Sequence, residues 1–246
     1  MAPVPSPAPE WLAPFSVEAR DAVSGFLAMP GRRVACLDAD GTLWAEDVGE
    51  AFLRWLAEGR MLPPVDRSRG SDEVWAEYEA RVHADRAAGY AWAVLNMAGL
   101  VEADVVGLCR QHAAAWPNYR PEMRALIGGM RESGAEVWIV SASNRWVVEA
   151  VAPRIGVDPR CTIAMATEVR DGRLTDRLVP PPICGAGKVQ AILDRIGCAP
   201  GLAAGDGMGD FEMMQLAAFR FAVGRHDRST ELVRKSRELG WPVHLF

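Results

Sequence analysis

The fold of this chain is decided by the stretch Val34-Ala35-Cys36-Leu37-Asp38-Ala39-Asp40-Gly41-Thr42-Leu43. Its four apolar residues predict a buried strand, and two carboxylates follow where that strand ends. An unpaired charge at the end of a buried strand is costly. A divalent cation together with a phosphate would compensate for that cost, so the stretch indicates a binding site.

Two simpler interpretations of this stretch compete with a binding site. An Asp-Gly pair is also typical of an ordinary strand-to-loop turn and of an EF-hand calcium loop. An EF-hand loop requires a third Asp or Asn before its glycine and a Glu that closes the loop. Here Gly41 follows Asp40 at once, no acidic residue stands at the closing position, and the preceding segment is strand-like. The EF-hand is therefore disfavoured, and a purely structural turn remains the simple alternative.

Composition limits the classes of protein to which the chain can belong. Its 246 residues, half of them hydrophobic, allow one large domain or a core with a smaller insertion. A net charge of −5 without a long basic run argues against nucleic-acid binding. No run reaches the roughly 18 apolar residues of a membrane span. Five dispersed cysteines without a CxxC pair are typical of reduced thiols, which predicts a cytoplasmic location.

The chain divides into two kinds of sequence pattern. Residues 45–117 carry helical periodicity, many charges and no convincing strand, which predicts an inserted α-helical cap. Residues 1–44 and 118–246 alternate strands with helices, although 1–15, rich in Pro and Ala, are expected to be a disordered tail. This alternation predicts an α/β fold, with a Rossmann-like parallel sheet core and helices on both faces.

Three polar positions follow predicted strands in this core. They are Asp38, Ser141 and Asp206, each of which comes directly after an apolar run. In parallel α/β folds, ligands bind beyond the carboxyl ends of the strands. We therefore expect these three residues to meet at one edge of the sheet and to form a single site.

Four motifs occur in a fixed order: Asp38-Ala39-Asp40-Gly41-Thr42, Ser141 after a strand, Lys188, and Gly205-Asp206-Gly207-Met208-Gly209-Asp210. In this order the sequence resembles the haloacid dehalogenase-like superfamily over nearly all of the chain from Arg33 onward. The helical insertion after the first motif, and the Asp171-Gly172 hairpin before Lys188, are similar to its phosphoserine phosphatase branch. The resemblance implies a phosphatase that hydrolyses a small phosphomonoester through an aspartyl phosphate.

The resemblance also implies a role for each polar residue. Asp38 would be the nucleophile, Asp40 the general acid and then base, and Lys188 the group that neutralises phosphoryl charge. Phosphoryl oxygens and other substrate groups would be held by residues that follow the first two motif strands, which are Gly41, Ser141, Ala142 and Asn144. The cofactor would be Mg²⁺, bound by Asp38, the backbone carbonyl of Asp40, Asp206 and Asp210.

One departure from the family pattern bears on the substrate. Phosphoserine phosphatases usually carry Asn where this chain has Gly209, so an amide at the phosphoryl site is missing, and Asn144 is a candidate to replace it. Asp47 stands nine residues after Asp38, where those enzymes carry a Glu that contacts the substrate amine. An acidic group there predicts pairing with an ammonium group. We therefore expect an amine-bearing substrate such as phosphoserine, phosphoethanolamine or phosphocholine.

Enzymes of this superfamily with other activities differ from its phosphatases at single residues. Haloacid dehalogenases lack the second Asp, which is present here as Asp40. Phosphonoacetaldehyde hydrolases require a cap lysine, and no lysine lies between Trp44 and Tyr119. A phosphotransferase or phosphomutase keeps the same motifs and stays open as an alternative, as does a non-catalytic module that binds a phospholigand. The sequence leaves the oligomeric state open.

Overall fold

The computed structural model describes residues 9–63 and 69–246. The strands of this part of the chain are β1 (Val34–Leu37), β2 (Glu136–Asn144), β3 (Thr162–Met165), β4 (Thr167–Arg170), β5 (Arg173–Leu178), β6 (Leu202–Gly205), β7 (Phe219–Gly224) and β8 (Val243–Leu245). Six of them form a parallel sheet in the order β3-β2-β1-β6-β7-β8, and β4 and β5 form a separate antiparallel hairpin. The predicted α/β fold is confirmed, although the sequence did not predict β8.

The helices connect these strands. They are α1 (Val17–Leu27), α2 (Val48–Glu58), α3 (Ser71–Ala84), α4 (Arg86–Leu95), α5 (Glu102–Ala115), α6 (Pro121–Glu132), α7 (Arg145–Val151), α8 (Ala186–Ile196), α9 (Phe211–Leu216) and α10 (Glu231–Glu238). Helices α2 to α5 all lie in the chain between β1 and β2, within the predicted insertion 45–117. The division of the chain into a core and a cap stays a prediction. None of the described helices is long and apolar enough to cross a bilayer.

Strand β1 occupies the middle of the sheet, because all four of its residues are apolar and fully buried. Leu37, its last residue, pairs with Ile139 of β2 on one side and Ala204 of β6 on the other. From β1 the chain adds β2 and β3 outward in one direction, and from β6 it adds β7 and β8 in the other. The order of the strands therefore reverses between β1 and β6, which is the place where such sheets bind ligands.

The N-terminal segment corrects one expectation. Residues 1–8 lie outside the described part of the chain, but residues 10–12 form a short 3₁₀ helix in which Leu12 is fully buried. The Phe15 ring packs against His244, with ring centroids 4.7 Å apart. The expectation of a disordered tail over residues 1–15 is therefore wrong for its second half, because Leu12 and Phe15 bury apolar surface against the sheet.

The β4–β5 hairpin is hydrogen-bonded to the insertion. The amide of Gly99 donates to the carbonyl of Leu174 at 2.7 Å, and the amide of Leu174 donates to Leu100 at 2.9 Å. A third bond joins the Glu102 amide to the Gly172 carbonyl at 2.9 Å. These bonds connect the loop between α4 and α5 to the hairpin that precedes α8.

Candidate active site

Asp38 lies at the carboxyl end of β1, beside the end of β6. Its amide donates to the carbonyl of Ala204, which continues the strand pairing to this point. The chain then turns tightly, and Gly41 adopts a φ of +76°, a conformation that glycine accepts without strain. A Cβ atom on Gly41 would come within 2.2 Å of the Asp206 Oδ2 atom. Gly41 therefore permits the tight turn after Asp38, and it leaves room for the Asp206 carboxylate beside that turn.

Both carboxylate oxygens of Asp38 have partners. Oδ1 accepts a hydrogen bond from Lys188 Nζ at 2.7 Å, and Oδ2 accepts one from Thr42 Oγ1 at 3.1 Å. The side chain is buried, and burial together with the charge of Asp210 raises its pKa well above the usual value, against the opposing effect of Lys188. The carboxylate is therefore held in one orientation in a setting that favours charge neutralisation.

Lys188 is almost fully buried in the first turn of α8. Its ammonium donates to Asp38 Oδ1 at 2.7 Å, to Asp210 Oδ1 at 2.6 Å and to the carbonyl of Val140 at 2.7 Å. Burial lowers the pKa of Lys188, but Asp210 and Asp38 raise it more, so the net pKa lies above its ordinary value. The lysine is therefore charged, and all three of its donors have acceptors.

Asp38, Asp206 and Asp210 form a cluster of carboxylates in which one oxygen of each lies within 4.8 Å of the others. Both oxygens of Asp210 are engaged, Oδ1 by Lys188 and Oδ2 by the amides of Asp206 and Gly207. The Asp206 carboxylate accepts no hydrogen bond from another described residue. Burial, with the charges of Asp210 and Asp40, raises the pKa of Asp206 to about 7. This donor set of hard oxygens, with one lysine for three carboxylates, fits a divalent cation such as Mg²⁺. We call these four residues, Asp38, Lys188, Asp206 and Asp210, the site floor.

The side chain of Asp40 does not join this cluster. Its Oδ1 accepts hydrogen bonds from the Trp44 indole and the Val48 amide, both at 2.7 Å. Its Oδ2 accepts from Ser143 Oγ at 2.8 Å and Ser141 Oγ at 3.2 Å. The acid is thus held between the start of α2 and the end of β2, and any metal contact would come from its backbone carbonyl.

The residues that end β2 differ in what they face. The hydroxyl of Ser141 is engaged by Asp40 and also accepts the amide of Ser143 at 3.0 Å. Ala142 lines the large cavity over the site floor. Asn144 is buried, and its Oδ1 accepts the Val147 amide and so caps α7. Asn144 lines a smaller neighbouring cavity instead of the large one.

A cavity of about 640 Å³ lies over the site floor and contains Asp40, Gly41 and Asp47 in its lining. The insertion lines one side of this cavity, and another side is lined by Arg228 of the β7–α10 connection and Arg234 of α10. A second cavity of about 30 Å³, enough for about one water molecule, adjoins it along Asp47. The space over the floor is therefore large enough for a small ligand.

Several residues of the insertion line this small cavity. We call four of them the insertion wall: Asp47, Glu50, Tyr78 and Tyr90. Asp47 caps α2 by accepting the Glu50 amide at 2.8 Å, and Glu50 accepts the Tyr78 hydroxyl at 2.9 Å. Burial raises the pKa of Asp47, with further contributions from the charges of Asp40 and Glu50. Neither acid forms an ion pair with a described lysine or arginine.

The sequence pattern of the haloacid dehalogenase-like hydrolase family matches residues 35–215, a range that contains the whole site floor. This chain belongs to that family. The match begins in β1 and ends in α9, so it covers the strands on both sides of the point where the strand order reverses.

Several named proteins and solved structures are also similar to this chain. A phosphoserine phosphatase of Streptomyces coelicolor is 28% identical over 206 residues, which are 81% of this chain and 46% of that protein. A histidinol-phosphatase of Neisseria meningitidis is 21% identical over 225 residues, 86% of this chain and 98% of that protein. The chain spans about half the length of the curated phosphoserine phosphatases that it matches. A crystal structure of a Bordetella pertussis protein of unknown function shares the fold, with a TM-score of 0.71, 23% identity and coverage of 86% of this chain and 97% of that one.

Gly209 is the position at which this family member departs from the phosphoserine phosphatase pattern. A Cβ atom on Gly209 would lie 3.1 Å from the Cys184 sulfur, so a larger side chain would have to displace that cysteine. Cys184 itself lines the large cavity. The Cys184 thiol therefore lies beside Gly209, and Asn144, the candidate to replace the missing amide, caps α7 and does not line the large cavity.

Sequence reasoning missed several residues that line the two cavities. Two of them could have been found from local sequence. Ser143 is a second hydroxyl residue shortly after Ser141, and Glu50 stands three residues after Asp47, which is the spacing of a helix capping box. Tyr90 and Arg86 had none, since only the folding of α4 against the core brings them to the cavity.

Proposed function

We propose that this protein is a Mg²⁺-dependent phosphatase that hydrolyses a small phosphomonoester through an aspartyl phosphate on Asp38. The observation that carries the proposal is the site floor, where Asp38 is oriented by Lys188 and Thr42 under a cavity of about 640 Å³. Its four residues stand in the order of the family motifs. In this proposal residues 1–44 and 118–246 form the core and residues 45–117 form the cap.

The proposed reaction has two displacements at phosphorus. In the first, an oxygen of Asp38 attacks phosphorus, the bond to the leaving oxygen breaks, and Asp40 gives that oxygen a proton. In the second, Asp40 takes a proton from a water molecule, the water oxygen attacks phosphorus, and the bond to Asp38 breaks. Inorganic phosphate leaves, and both carboxyl groups return to their starting states. Gly41, Ser141 and Ala142 are proposed to hold phosphoryl oxygens beside these groups.

Charge explains why the proposal includes a cation. Three carboxylates and one lysine leave the site floor with an excess negative charge that would repel a phosphate dianion. Asp38, Asp206, Asp210 and the carbonyl of Asp40 are the proposed ligands. When bound, Mg²⁺ would offset that repulsion and polarise a phosphoryl oxygen. Lys188 contributes a fixed positive charge beside Asp38 in either case.

For the substrate we propose a phosphomonoester that carries a primary amine. Asp47 and Glu50 of the insertion wall are acidic groups without an ion-pair partner in the described chain, and an ammonium group would supply one. Serine and histidinol, the alcohols named in the relatives, both carry such an amine. Among the described residues, Tyr90 is the only aromatic side chain that lines the large cavity, whereas an aromatic cage that suits choline needs several. Phosphoserine and phosphoethanolamine are therefore favoured over phosphocholine.

We also propose that the protein works in the cytoplasm. All five cysteines are free, which agrees with a reducing compartment. Small phosphomonoesters are the proposed partners, and the charge of −5 gives no support for nucleic acid.

The experiment that tests the function is phosphate release from a panel of phosphomonoesters, with Mg²⁺ or with EDTA. The panel contains phosphoserine, phosphoethanolamine, phosphocholine and histidinol phosphate. We expect metal-dependent release that is fastest with a primary amine. Transfer of the phosphoryl group to an added alcohol acceptor, without release of inorganic phosphate, would instead indicate a phosphotransferase, and binding without turnover would indicate a non-catalytic phospholigand module.

A further inference from the structure

Ser143 lies between two carboxylates at the junction of the core and the insertion. Its Oγ is 2.8 Å from Asp40 Oδ2 and 3.3 Å from Asp47 Oδ1, and the residue is buried. A hydroxyl has a single proton, so Ser143 donates to one of these carboxylates at a time. A Cβ atom on Gly49 would come within 2.4 Å of this Oγ, so glycine in the first turn of α2 leaves the space that the hydroxyl occupies.

The two oxygens of Asp40 face different kinds of hydrogen-bond partner. Oδ1 faces the Trp44 indole and the Val48 amide, which are donors only. Oδ2 faces the hydroxyls of Ser143 and Ser141, which can both donate and accept. A proton carried by Asp40 is therefore accommodated on Oδ2, while Oδ1 stays an acceptor throughout.

Ser143 has a property that Ser141 lacks. Its Oγ lies 2.8 Å from Asp40 Oδ2 and 3.3 Å from Asp47 Oδ1, so it connects the two carboxylates. Ser141 makes the longer contact with Asp40, at 3.2 Å, and Asp40 is the only acceptor that its hydroxyl finds among the described residues. Ser143 thus joins Asp40 to the N-cap of α2.

We propose that Ser143 is a positioning residue, which keeps Asp40 Oδ2 aligned for proton transfer by bridging it to Asp47 at the start of the insertion. The proposal rests on the acid and base role of Asp40 in the proposed function. It assigns no contact between Ser143 and the substrate. Its consequence is that loss of the hydroxyl slows the step that needs a proton and leaves substrate binding unchanged.

The test compares Ser143→Ala and Ser143→Thr with wild type on two substrates, phosphoethanolamine and p-nitrophenyl phosphate. An alkoxide needs a proton to leave, whereas nitrophenolate leaves without one. For Ser143→Ala we expect kcat/KM, which reports only the steps up to departure of the alcohol, to fall by about 10-fold to 100-fold on phosphoethanolamine and by less than about 3-fold on p-nitrophenyl phosphate. The later attack of water on the aspartyl phosphate, in which Asp40 acts as base for both substrates, affects kcat alone. Ser143→Thr retains a hydroxyl and should keep most of the wild-type activity on phosphoethanolamine.

A matched control is Ser236→Ala. Ser236 is also a fully buried serine, but its hydroxyl has no hydrogen-bond partner in the structure. This variant should keep wild-type kcat on both substrates. The double variant Asp40→Asn with Ser143→Ala should be no slower on phosphoethanolamine than Asp40→Asn alone, because both changes act on the same proton transfer.

Two results would overturn the proposal. One is an equal loss of kcat/KM in Ser143→Ala on both substrates, and the other is a wild-type kcat/KM for phosphoethanolamine in that variant. If the wild type releases no phosphate from any substrate, the proposed function fails separately. A crystal structure of Ser143→Ala then decides: an Asp40 carboxylate in its original place overturns the positioning role, and one turned away from the end of β2 supports it.

Discussion

The site floor and the insertion wall are both buried clusters of acids, but only the floor contains its own positive charge. In the floor, Lys188 lies 2.7 Å from Asp38 and 2.6 Å from Asp210. In the wall, Asp47 and Glu50 have a backbone amide and a tyrosine hydroxyl as their closest partners. The floor thus contains its own ion pairs, whereas Asp47 and Glu50 of the wall form no ion pair with a described lysine or arginine. Their contributions to activity and stability should differ accordingly.

The largest expected effect is on turnover when Asp38, the proposed nucleophile of the floor, is replaced. Asp38→Asn keeps the shape of the side chain and a carbonyl oxygen for Lys188 or Thr42, but an amide does not attack phosphorus. We expect phosphate release to fall by roughly 10⁴-fold or more, with an unchanged circular dichroism spectrum. Substantial activity in the folded variant would show that another group is the nucleophile.

The second prediction concerns stability and uses the two lysines of the chain. Lys188→Met leaves Asp38 and Asp210 buried without their counter-charge, which should lower the free energy of unfolding by about 3–5 kcal/mol. Lys235→Met is the matched control, since Lys235 forms only an exposed contact of 3.6 Å with Glu238, and should cost less than about 1 kcal/mol. Urea denaturation of both variants measures the difference. Equal losses would mean that the floor is not held together by its lysine.

The third prediction is the pH dependence of metal binding. The pKa of Asp206 is about 7 in the folded chain and 3.8 in the absence of neighbours. A raised carboxyl pKa means that the folded state binds more protons, so the associated stability is present at low pH and is lost as pH rises to about 7 and above. In EDTA this loss should be on the order of a few kcal/mol.

Magnesium should reverse that loss, because the cation takes the place of the proton. Thermal or urea unfolding at pH 5 and pH 8, with EDTA and with Mg²⁺, measures the effect. We expect Mg²⁺ to stabilise the protein more at pH 8 than at pH 5. Stabilisation that is equal at both values, or larger at pH 5, would contradict a metal site that includes Asp206.

The smallest expected effect is in the insertion wall. Asp47→Asn removes a charge but keeps an oxygen that caps α2 and accepts the Glu50 amide. We expect KM for phosphoethanolamine to rise by about 10-fold, with little change for 2-hydroxyethyl phosphate, which lacks the amine. A parallel rise for both substrates would show that the wall affects binding without reading the amine.

The same division between floor and wall marks the limit of what the sequence could predict. Asp38 and Asp206 were placed together because both follow apolar strands, and the carboxyl ends of parallel strands meet at one edge. Lys188 was added by the family pattern. The environment of Asp40 was not predictable, because its partners Val48 and Ser143 come from elements separated by nearly a hundred residues. Four helices in residues 45–117 were foreseen only as helical periodicity, so which of their side chains face the floor depended on tertiary packing.

The hydrogen bonds between the insertion and the β4–β5 hairpin have a consequence for the design of chimaeric proteins. Gly99, Leu100 and Glu102 pair with Leu174 and Gly172 through backbone groups. A chimaera that exchanges residues 45–117 alone would break these pairs unless the donor loop had the same geometry. In a chimaera built from this chain, residues 45–117 and residues 167–178 should therefore be exchanged together.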